Sequence, residues 1–577
     1  MSQENNIDYD TCLDELLAVK APSRIGAKDS TLYAQIPGAQ DFASKFMGWA
    51  DLASDPPFSL NELKAVADGI KLEGLNAVVL IGQGGSSQAP MTITKLNEVA
   101  LCGNPEVEFR TMDSLSPVFV NHILGSSDPA HTLYIVSSKS GSTLEPLSLE
   151  KVAWQYVTGH LGTEGAAKRF VAITDPGSGL EAMAHEKGYR FVLPGCVDVG
   201  GRFSALSVFA LFPAALVGID LVGVQQAAAD MQARCTQDTA DNPAAELAAF
   251  LYGNYLAGRD KLSLVMPSTG QVFGLWLEQI IAESLGKDGK GILPNVEVDA
   301  SILALPHDDR CAITYDVGRV KGFGESVSHF DKGTPVKNFS LCSIDDVFAQ
   351  FVLWEYAIAF LGLLMQTDPF DQPDVEDTKK RVRELLANPH AKKTAADDYL
   401  QIDMSSDDYI KTVRISNALL ESDCGNGAAA GADEALRSLL SSIKHGDYFS
   451  LNAFLPFRGY GRREALERIR NRVASRLGAA ACLEIGPRYL HSTGQLHKGG
   501  PNTGVFLYIS AGEDNDISVP GEDFTLGALA TTQARGDFEA LCSRGRRAVA
   551  VHLASNGSET LSRFADRVCA AVSACCN

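Results

Sequence analysis

Short runs of apolar and β-branched residues alternate with helical segments from about Leu60 onward. The runs Ala77–Ile81 and Thr132–Val136 each lead through a loop of small residues into a helical pattern, and Arg169–Ile173 and Tyr189–Leu193 continue the series. Parallel strands need crossover helices, so this alternation is typical of βαβ units. The sequence therefore predicts an α/β protein built on parallel sheets.

A second series of the same kind starts at Leu262–Met266. It continues through a Ser/Thr/Gly turn into an amphipathic helix at Phe273–Ser284, which indicates a second, similar α/β domain in tandem. The stretch Glu421–Glu434 is rich in Gly and Ala, offers little to bury and favours a linker.

Beyond that stretch we expect a separate α/β module. Its predicted strands are Tyr448–Leu455, Val505–Ser510 and Ala548–His552, and its predicted helices are Arg463–Leu477 and Gly536–Arg544. The expected organisation is an N-terminal segment (1–60), a first domain (61–225), a second domain (226–395), a linker region (396–431) and a C-terminal α/β module (432–577).

Composition narrows the classes of function. With 577 residues, 45% of them hydrophobic and 21% charged, the chain can bury large cores and is not disordered, collagen-like or a coiled coil. Lys and Arg number 50 against 71 Asp and Glu, a net charge of −21. We therefore expect no nucleic-acid partner and no membrane partner, and any anionic substrate needs a local site.

The sequence also bears on location. Met1 to Cys12 lacks the basic and apolar regions of a secretory signal, and the twelve cysteines show no CxxC spacing, which favours a reducing compartment. The longest apolar stretch, Phe203–Ile219, contains serines and a proline, so we interpret it as a buried core helix rather than a membrane span. A cytoplasmic protein is expected.

Two loops could hold an anion. After the first strand comes Gly82-Gln83-Gly84-Gly85-Ser86-Ser87, a strand-to-helix turn that exposes backbone N–H groups. Ser87 stands where a dinucleotide fingerprint has its third glycine, and the Lys-Ser/Thr ending of a P-loop is absent, which disfavours NAD and ATP. A tight turn without a ligand remains an alternative for this loop.

The loop after the second strand is more informative. Residues 137–143 place five hydroxyls and the ammonium of Lys139 between a strand and a helix, a set that suits a phosphate monoester. Hydroxyls here also serve as helix N-caps. Without a triphosphate motif, the pattern indicates a phosphorylated metabolite such as a sugar phosphate.

Several side chains could carry the chemistry. On helix Phe273–Ser284, Gln279 and Glu283 lie four residues apart on one face, and Glu283 lies near the helix end, where a carboxylate is suited to act as a general base. Arg202 follows two glycines at a helix start, where its charge opposes the dipole, which favours a functional role. Gln372 and Lys379 lie seven residues apart, two turns along one face of a helix predicted to start at Pro373. The alternatives are a solvated glutamate for Glu283 and, for Lys379, a lysine that covers an apolar stripe.

The loop 490–504 is dense in hydrogen-bond donors and contains His491 and His497, the side-chain type best suited to proton transfer near neutrality. A plain surface loop is the alternative. His307, Asp308 and Asp309 are adjacent and cannot all face one ion, so no metal site is expected.

Taken together, five ordered segments resemble the glucose-6-phosphate isomerase family. The segments are Gly84-Gly85-Ser86, Ser138 to Glu145, Val199 to Ser204, Glu278 to Lys287 and Phe370 to Lys379, and they cover roughly residues 60 to 390. The resemblance implies two tandem sugar-isomerase (SIS) domains, each a three-layer α/β/α unit with a parallel sheet, and the C-terminal α/β module would be an addition. It is closest to the isomerase half of bifunctional transaldolase/glucose-6-phosphate isomerases, here expected as a stand-alone isomerase.

The resemblance also implies an activity: interconversion of glucose 6-phosphate and fructose 6-phosphate, without a cofactor and in a homodimer. Glu283 would move the proton between C1 and C2, Arg202 would stabilise the cis-enediolate, and Lys379 would help to open the ring. Phosphate and sugar would be held by a larger set: Gly85, Ser86, Ser138, Lys139, Ser140, Thr143, Glu145, Gly201, Gln279 and Gln372.

One position departs from the family pattern. Where the family has a histidine for ring opening, this chain has Arg310, and we hypothesise that His491 or His497 substitutes for it. Two alternatives to this activity remain: an isomerase for another phosphosugar, and a non-catalytic sugar-phosphate sensor. Retention of Glu283, Arg202, Gln279 and Lys379 favours the enzyme, because a sensor needs no base.

Overall fold

The fold is described by a computed structural model over residues 9–101, 103, 105, 107–297, 303–304, 307–319, 333–387, 398–425, 427–456, 461–513 and 515–576. Its strands are β1 (Ala77–Gly82), β2 (Glu108–Met112), β3 (Thr132–Ser137), β4 (Phe170–Thr174), β5 (Phe191–Pro194), β6 (Lys261–Val265), β7 (Leu293–Glu297), β8 (Arg310–Val317), β9 (Val336–Leu341), β10 (Tyr399–Asp403), β11 (Ile410–Ser416), β12 (Tyr448–Phe454), β13 (Ala480–Ile485), β14 (Gly504–Ala511) and β15 (Arg547–Leu553).

The helices connect and cover these strands. They are α1 (Tyr9–Ala18), α2 (Ala21–Gly26), α3 (Ala39–Phe46), α4 (Leu60–Leu72), α5 (Gly85–Lys95), α6 (Pro117–Gly125), α7 (Leu144–Ala167), α8 (Gly179–Lys187), α9 (Val208–Leu216), α10 (Leu221–Cys235), α11 (Pro243–Leu256), α12 (Gln271–Leu285), α13 (Ile344–Leu364), α14 (Pro373–Ala387), α15 (Asn417–Leu420), α16 (Ala432–Ser441), α17 (Arg462–Leu477), α18 (Gly494–Gly499), α19 (Leu526–Cys542) and α20 (Ser558–Cys575).

The first sheet has the order β2-β1-β3-β4-β5, with every neighbouring pair parallel. Strand β1 is buried on both faces, as its near-continuous apolar run predicts. Val78 and Leu80 point to a core shared with α4, α5 and α9, and Val79 and Ile81 to a core shared with α6, α7 and α8. This three-layer arrangement confirms the predicted parallel α/β class.

The second sheet has the order β7-β6-β8-β9 and is also parallel. Leu262 and Leu264 on β6 pack into the same core as α11 and α13, so the first two sheets share one large apolar interior. The long apolar helix α13 is 21 residues long and hydrophobic enough to cross a membrane, yet 94% of its most apolar window is buried inside the protein. The predicted core helix near Phe203–Ile219 is the fully buried α9.

The third sheet joins the segment that we expected to be a linker. Its order is β10-β11-β15-β14-β12-β13, and β10 and β11 form an antiparallel pair that extends the parallel strands. The linker prediction for 396–431 was wrong: β10 and β11 belong to this sheet, and Leu419 and Ala428 are buried in the core of the module. Between β11 and α16 the chain forms α15 and a 3₁₀-helix at Ala428–Ala430.

The sequence prediction also missed seven strands and misplaced the start of one helix. The strands β2, β7, β8, β9, β10, β11 and β13 were missed, and several of them mix polar with apolar residues, as in Val336–Leu341, instead of forming β-branched runs. Helix α19 begins at Leu526, where the Thr525 side chain caps its first turn. This start lies ten residues before the predicted one at Gly536.

The C-terminal module packs closely against the second sheet and α14. The Cα of Gly286 at the end of α12 lies so close to Leu496 that a Cβ there would be 2.5 Å from the Cα of that leucine. Gln495 donates to the carbonyl of Gly286 at 3.1 Å and to Asp374 at 2.7 Å. Arg544, just after the end of α19, pairs with Asp374 at 2.8 Å.

A buried charged network centres on Asp537 of α19. Its carboxylate accepts from Lys498 Nζ at 2.6 Å, from Tyr489 at 2.7 Å and from Tyr508 at 2.5 Å. Burial would raise the pKa of Asp537, but Lys498 and the tyrosine hydroxyls reverse this and hold the pKa below its ordinary value. The network fixes the chain around residues 489–498 to α19.

Replacing Asp537 is expected to destabilise the protein strongly. The change Asp537→Asn leaves the Lys498 ammonium buried without a counter-charge, which costs about 3–5 kcal/mol. Urea unfolding followed by circular dichroism measures this loss. The control is Asp523→Asn at an exposed position; equal stability of the two variants would contradict the role of the network.

Candidate active site

A cavity of about 410 Å³ opens at the carboxyl ends of β1 and β3 in the first sheet. In parallel α/β sheets, ligands bind at this edge, because the strand-to-helix loops meet there. The walls come from the loops after β1 and β3, from the segment 200–202, from α12 and α14, and from the C-terminal module. Parts of the chain far apart in sequence therefore converge on one site.

Backbone contacts at the first loop are very close. A Cβ on Gly85 would lie 2.0 Å from the carbonyl oxygen of Gly201, and a Cβ on Gly84 would lie 3.1 Å from Cβ of His491. Gly84 has φ +57°, in the region that favours glycine. The loop thus brings its backbone against both the 201–202 segment and the histidine.

The second loop offers hydroxyls that can serve a ligand. Ser138 Oγ is buried without a hydrogen-bond partner, and Thr143 is the N-cap of α7 without a side-chain capping bond. Ser140 and Ser86 also line the cavity. Buried polar atoms normally have partners, so an unsatisfied hydroxyl facing a cavity indicates a polar ligand.

Lys139 is held in a fixed ion pair at the rim. Its ammonium donates to Asp175 at 2.5 Å and to the carbonyl of Cys196 at 2.7 Å. Burial raises the pKa of Asp175, and the Lys139 ammonium opposes this rise. The lysine therefore contributes positive charge at the cavity wall while it anchors the loop to the end of β4.

Glu283 lies on the opposite wall, on α12. Gln279, one turn earlier, donates from Nε2 to Glu283 Oε2 at 3.0 Å, and Arg202 Nη1 lies 3.4 Å from Glu283 Oε1. The Glu283 side chain is 12% exposed, so it reaches the cavity while most of it is shielded. The carbonyl oxygen of Gln279, Oε1, is buried without a partner.

Arg202 is buried and extensively hydrogen-bonded. It donates to Ser284 at 2.7 Å, to Gln372 Oε1 at 2.7 Å and to the carbonyl of Pro369 at 2.6 Å. These partners belong to α12 and to the chain that precedes α14, so the guanidinium fixes both relative to the first domain. A charge this deeply buried requires such a set of partners.

Lys287 also binds the chain segment that precedes α14. Its ammonium donates to the carbonyls of Asp368 and Asp371 and to the Asp371 carboxylate, each at 2.6 Å. Burial, together with the charge of Arg202, lowers the pKa of Lys287 to about 8. The sequence reasoning did not assign this lysine a role, although its segment belongs to a family motif.

His491 reaches the cavity from the C-terminal module. It lies in a short 3₁₀-helix, Arg488–His491, and its Nε2 is 3.1 Å from Glu145 Oε1. Gln533 of α19 donates to the same carboxylate oxygen at 2.7 Å. Burial raises the pKa of Glu145, but His491 and these hydrogen bonds outweigh it and lower the pKa below its ordinary value.

The cavity brings together most of the side chains predicted from the sequence. Those that line it are Gly85, Ser86, Ser138, Lys139, Ser140, Thr143, Gly201, Arg202, Gln279, Glu283, Gln372, Lys379 and His491. Glu145 lies behind His491 and lines an adjoining cavity of about 180 Å³. Phe42, Phe46 and Val197 also line the main cavity; nothing in their sequence context marked them, since they are single apolar residues.

His497 does not reach the cavity. It is 1% exposed and lies among Tyr448, Tyr489 and Phe506, with neither ring nitrogen hydrogen-bonded. Burial, with the charge of Lys498, lowers its pKa to about 3, so the ring is neutral. The expectation that His497 shares in catalysis fails because helix α18 turns it into the module's core.

Arg310 is likewise remote from the cavity. At the start of β8 it is buried, bonded to Asp309 at 3.2 Å and to the carbonyl of Gly478 at 2.9 Å. It therefore joins the second sheet to the C-terminal module. Of the residues considered for a metal, Asp308 pairs with His445 at 2.7 Å and Asp309 pairs with Arg310.

Two parallel α/β domains with a hydroxyl-lined loop and a shielded glutamate form the arrangement expected of a sugar-phosphate isomerase of the aldose–ketose class. Comparison with known proteins narrows this class. Residues 63–300 match the family model for phosphoglucose isomerase. A glucose-6-phosphate isomerase of Shouchella clausii is 30% identical over 397 residues, which cover 60% of this chain and 87% of that relative. The chain belongs to the phosphoglucose isomerase family.

Further similarities agree with this assignment. A glucose-6-phosphate isomerase of Staphylococcus aureus is 30% identical over 395 residues, 60% of this chain and 88% of the relative. The fold resembles a solved glucose-6-phosphate isomerase from Chlamydia trachomatis, with TM-score 0.55, 20% identity and 67% of this chain covered against 88% of the other. A solved hypothetical protein from Thermus thermophilus has TM-score 0.53 and 24% identity, with 66% of this chain and 98% of the other covered.

Adding a methyl group at Gly85 is expected to disrupt the site. In Gly85→Ala the new Cβ meets the Gly201 carbonyl, so the 200–202 segment and Arg202 must shift, with a loss of about 1–3 kcal/mol in unfolding free energy. Gly69→Ala in α4 is the control, since nothing lies within 4 Å of its Cβ. That variant should gain about 0.5–1 kcal/mol. Urea unfolding measures both; a Gly85 variant as stable as wild type would refute the close contact.

Proposed function

We propose that this protein interconverts glucose 6-phosphate and fructose 6-phosphate. The observation that carries the proposal is one cavity lined by the Glu283 carboxylate, the Arg202 guanidinium and the His491 imidazole, opposite a loop of hydroxyls that includes the unpartnered Ser138. Each of these groups suits one step of an aldose–ketose isomerisation.

The phosphate is held by the hydroxyl loop. Ser138, Ser140 and Thr143 present short donors at the N-terminus of α7, where the helix dipole favours negative charge, and Ser86 adds a donor from the first loop. Lys139 anchors this loop at the rim through its ion pair with Asp175. In a protein of net charge −21, such a local concentration of donors is what an anionic sugar needs.

Ring opening is assigned to His491. An acid–base group must move a proton between the ring oxygen and the anomeric hydroxyl, and His491 stands on the cavity wall with its Nε2 facing Glu145. The Glu145 carboxylate fixes the orientation of the imidazole, so Glu145 acts as a positioning residue. Lys379, on α14, lines the cavity near by and assists as a charged donor.

Proton transfer is assigned to Glu283. From the open-chain aldose the carboxylate removes the C2 proton; the C2–H electrons form the C1–C2 double bond, and the carbonyl electrons move onto O1. Arg202, 3.4 Å from the carboxylate, stabilises the resulting enediolate. The O2 proton then passes to O1, the O2 electrons form the C2 carbonyl, and the C1–C2 double-bond electrons take the proton back from Glu283 at C1. Gln279 and Gln372 hold the base and the arginine and orient sugar hydroxyls.

The remaining expectations from the sequence stay predictions. The acidic net charge supports a protein that binds neither nucleic acid nor anionic membranes, and the absence of CxxC spacing supports a cytoplasmic location. The resemblance implies a homodimer, and analytical ultracentrifugation of the full chain measures the molar mass that tests it. No step above requires a cofactor.

Removing the base should abolish turnover and preserve binding. Glu283→Gln keeps the size of the side chain but cannot accept the C2 proton, so the rate should fall by about 10²- to 10⁴-fold. The assay couples glucose 6-phosphate formation from fructose 6-phosphate to a dehydrogenase, with sugar-phosphate binding measured by calorimetry.

The control for this experiment is Glu464→Gln, an exposed glutamate on α17. It should leave both the rate and the binding unchanged. If the intact protein binds the sugar phosphate without turning it over, a sugar-phosphate sensor becomes the correct assignment. Full activity of the Glu283 variant would contradict the assigned base.

The role of His491 can be separated from proton transfer by the choice of substrate. His491→Asn should slow turnover of fructose 6-phosphate by about 10²-fold or more, because the ring must open first. The analogue 5-deoxyfructose 6-phosphate cannot form a ring, so the same variant should isomerise it at nearly the wild-type rate. Stopped-flow assays with both substrates measure this.

His497 provides the matched control. Because its ring nitrogens have no hydrogen-bond partner and its neighbours are aromatic, His497→Phe should keep both rates. Equal slowing of both substrates by His491→Asn would mean that the histidine serves structure or proton transfer instead of ring opening.

A further inference from the structure

A separate cavity with polar and apolar walls lies in the C-terminal module, away from the proposed active site. It has a volume of about 170 Å³ and lies between the third sheet and α19. The sheet contributes Thr412, Arg414, Ser510 and His552, and the helix contributes Thr531 and Arg535. None of these residues has a role in the proposed isomerisation.

Strand register explains why these polar side chains meet. Thr412 on β11 pairs with His552 on β15, which pairs with Ser510 on β14, so the three form a row across neighbouring strands. Arg414 stands two residues along β11 from Thr412 and faces the same side. The alternate residues Val413 and Val551 point to the apolar core on the other face.

Positive charge is concentrated in this cavity. Arg414 and Arg535 both line it, and no aspartate or glutamate is among the residues of the described chain that do. Burial lowers the pKa of Arg414 and the nearby Arg535 charge adds to this, while Tyr399 and the Glu539 carboxylate oppose it. Arg535 donates from Nε to Glu539 at 3.0 Å, and this carboxylate offsets one of the two charges.

The Glu539 carboxylate acts on both guanidinium groups, so one carboxylate serves two positive charges. Arg414 uses its Nε for Gln401 at 2.8 Å, a neutral partner, and Lys411 adds a further positive charge near His552. His552 pairs with the Ser510 hydroxyl at 3.0 Å and is neutral at physiological pH, since burial and then Arg414 and Lys411 lower its pKa to about 4. An anion between the arginines would relieve their repulsion.

We propose that this cavity is a second phosphate-binding site, which takes the phosphate group of a small phosphorylated metabolite. Arg414 and Arg535 supply charge-assisted hydrogen bonds, and the hydroxyls of Thr412, Ser510 and Thr531 supply short donors. The apolar side of the cavity, formed by Ala534, Phe538 and Ala550, contacts the rest of the metabolite.

The position of α19 gives this site a structural link to the first. Arg535 lies on the same helix as Gln533, which donates to the Glu145 carboxylate behind His491, and as Asp537, which holds the chain near Tyr489. A ligand that draws Arg535 toward Arg414 acts on the helix that positions the ring-opening histidine. The proposal concerns binding and does not depend on the isomerase activity.

Counting bound phosphate tests the proposal. Equilibrium dialysis of the full-length protein with radiolabelled inorganic phosphate should lose one binding site, or weaken one at least tenfold, in Thr531→Glu, which places a carboxylate in the cavity. The matched control Thr532→Glu puts the same charge one residue further along α19, at a position that does not line the cavity, and should bind as wild type.

The change in phosphate binding caused by Thr531→Glu does not depend on whether the proposed active site binds phosphate. If the hydroxyl loop of the proposed active site does not bind phosphate, the wild-type count is lower, but the loss on going to Thr531→Glu remains. Arg414→Gln serves as a second variant, with circular dichroism to verify the fold. Equal phosphate binding by wild type, Thr531→Glu and Arg414→Gln would overturn the proposal.

Discussion

The candidate site depends on the hydrogen bonds of the buried Arg202 guanidinium. The guanidinium binds Ser284 on α12, the Pro369 carbonyl and Gln372, while it lies 3.4 Å from Glu283. A buried charge is tolerated only with such a set of partners, so its hydrogen bonds fix three separate segments at once. The first loop can approach Arg202 only because residue 85 is a glycine, since any side chain there would collide with the Gly201 carbonyl. The geometry of base and arginine is thus built into the packing of the two sheets.

The C-terminal module completes this geometry. The module lies outside residues 63–300, which the family model matches. It nevertheless contributes His491 to the cavity wall, and its Gln533 donates to the Glu145 carboxylate behind that histidine. Hydrogen bonds of Arg310, Gln495 and Arg544 join the module to the rest of the chain. Inside the module, the Asp537 network holds residues 489–498 in place. The module is therefore part of the site's framework, and its own charged cavity adds a separate binding surface.

Most of the residues predicted for the site line one cavity, whereas several edge strands of the sheets were missed. The glycine and serine loops were recognisable because runs of small and hydroxyl residues at a strand-to-helix turn are typical of anion sites. Glu283 and Gln279 were recognisable from helical spacing. The edge strands β2 and β10 and the strand β9 were missed, because a strand with one polar face lacks the apolar run that marks a buried one. The Gly/Ala stretch near residue 427 suggested a linker, since composition does not show whether small residues are exposed or packed.

Local patterns in the chain were sufficient to establish the parallel α/β class, the acidic charge, the two donor-rich loops and the chemical types available for proton transfer. These follow from periodicity and from side-chain chemistry, which need no knowledge of distant contacts. The choice between two histidines six residues apart required the folded chain: the 3₁₀-turn places His491 at Glu145, whereas α18 buries His497 among aromatic rings. The same holds for Arg310, which joins two domains instead of serving the cavity. Such outcomes depend on tertiary contacts, which a local pattern does not encode.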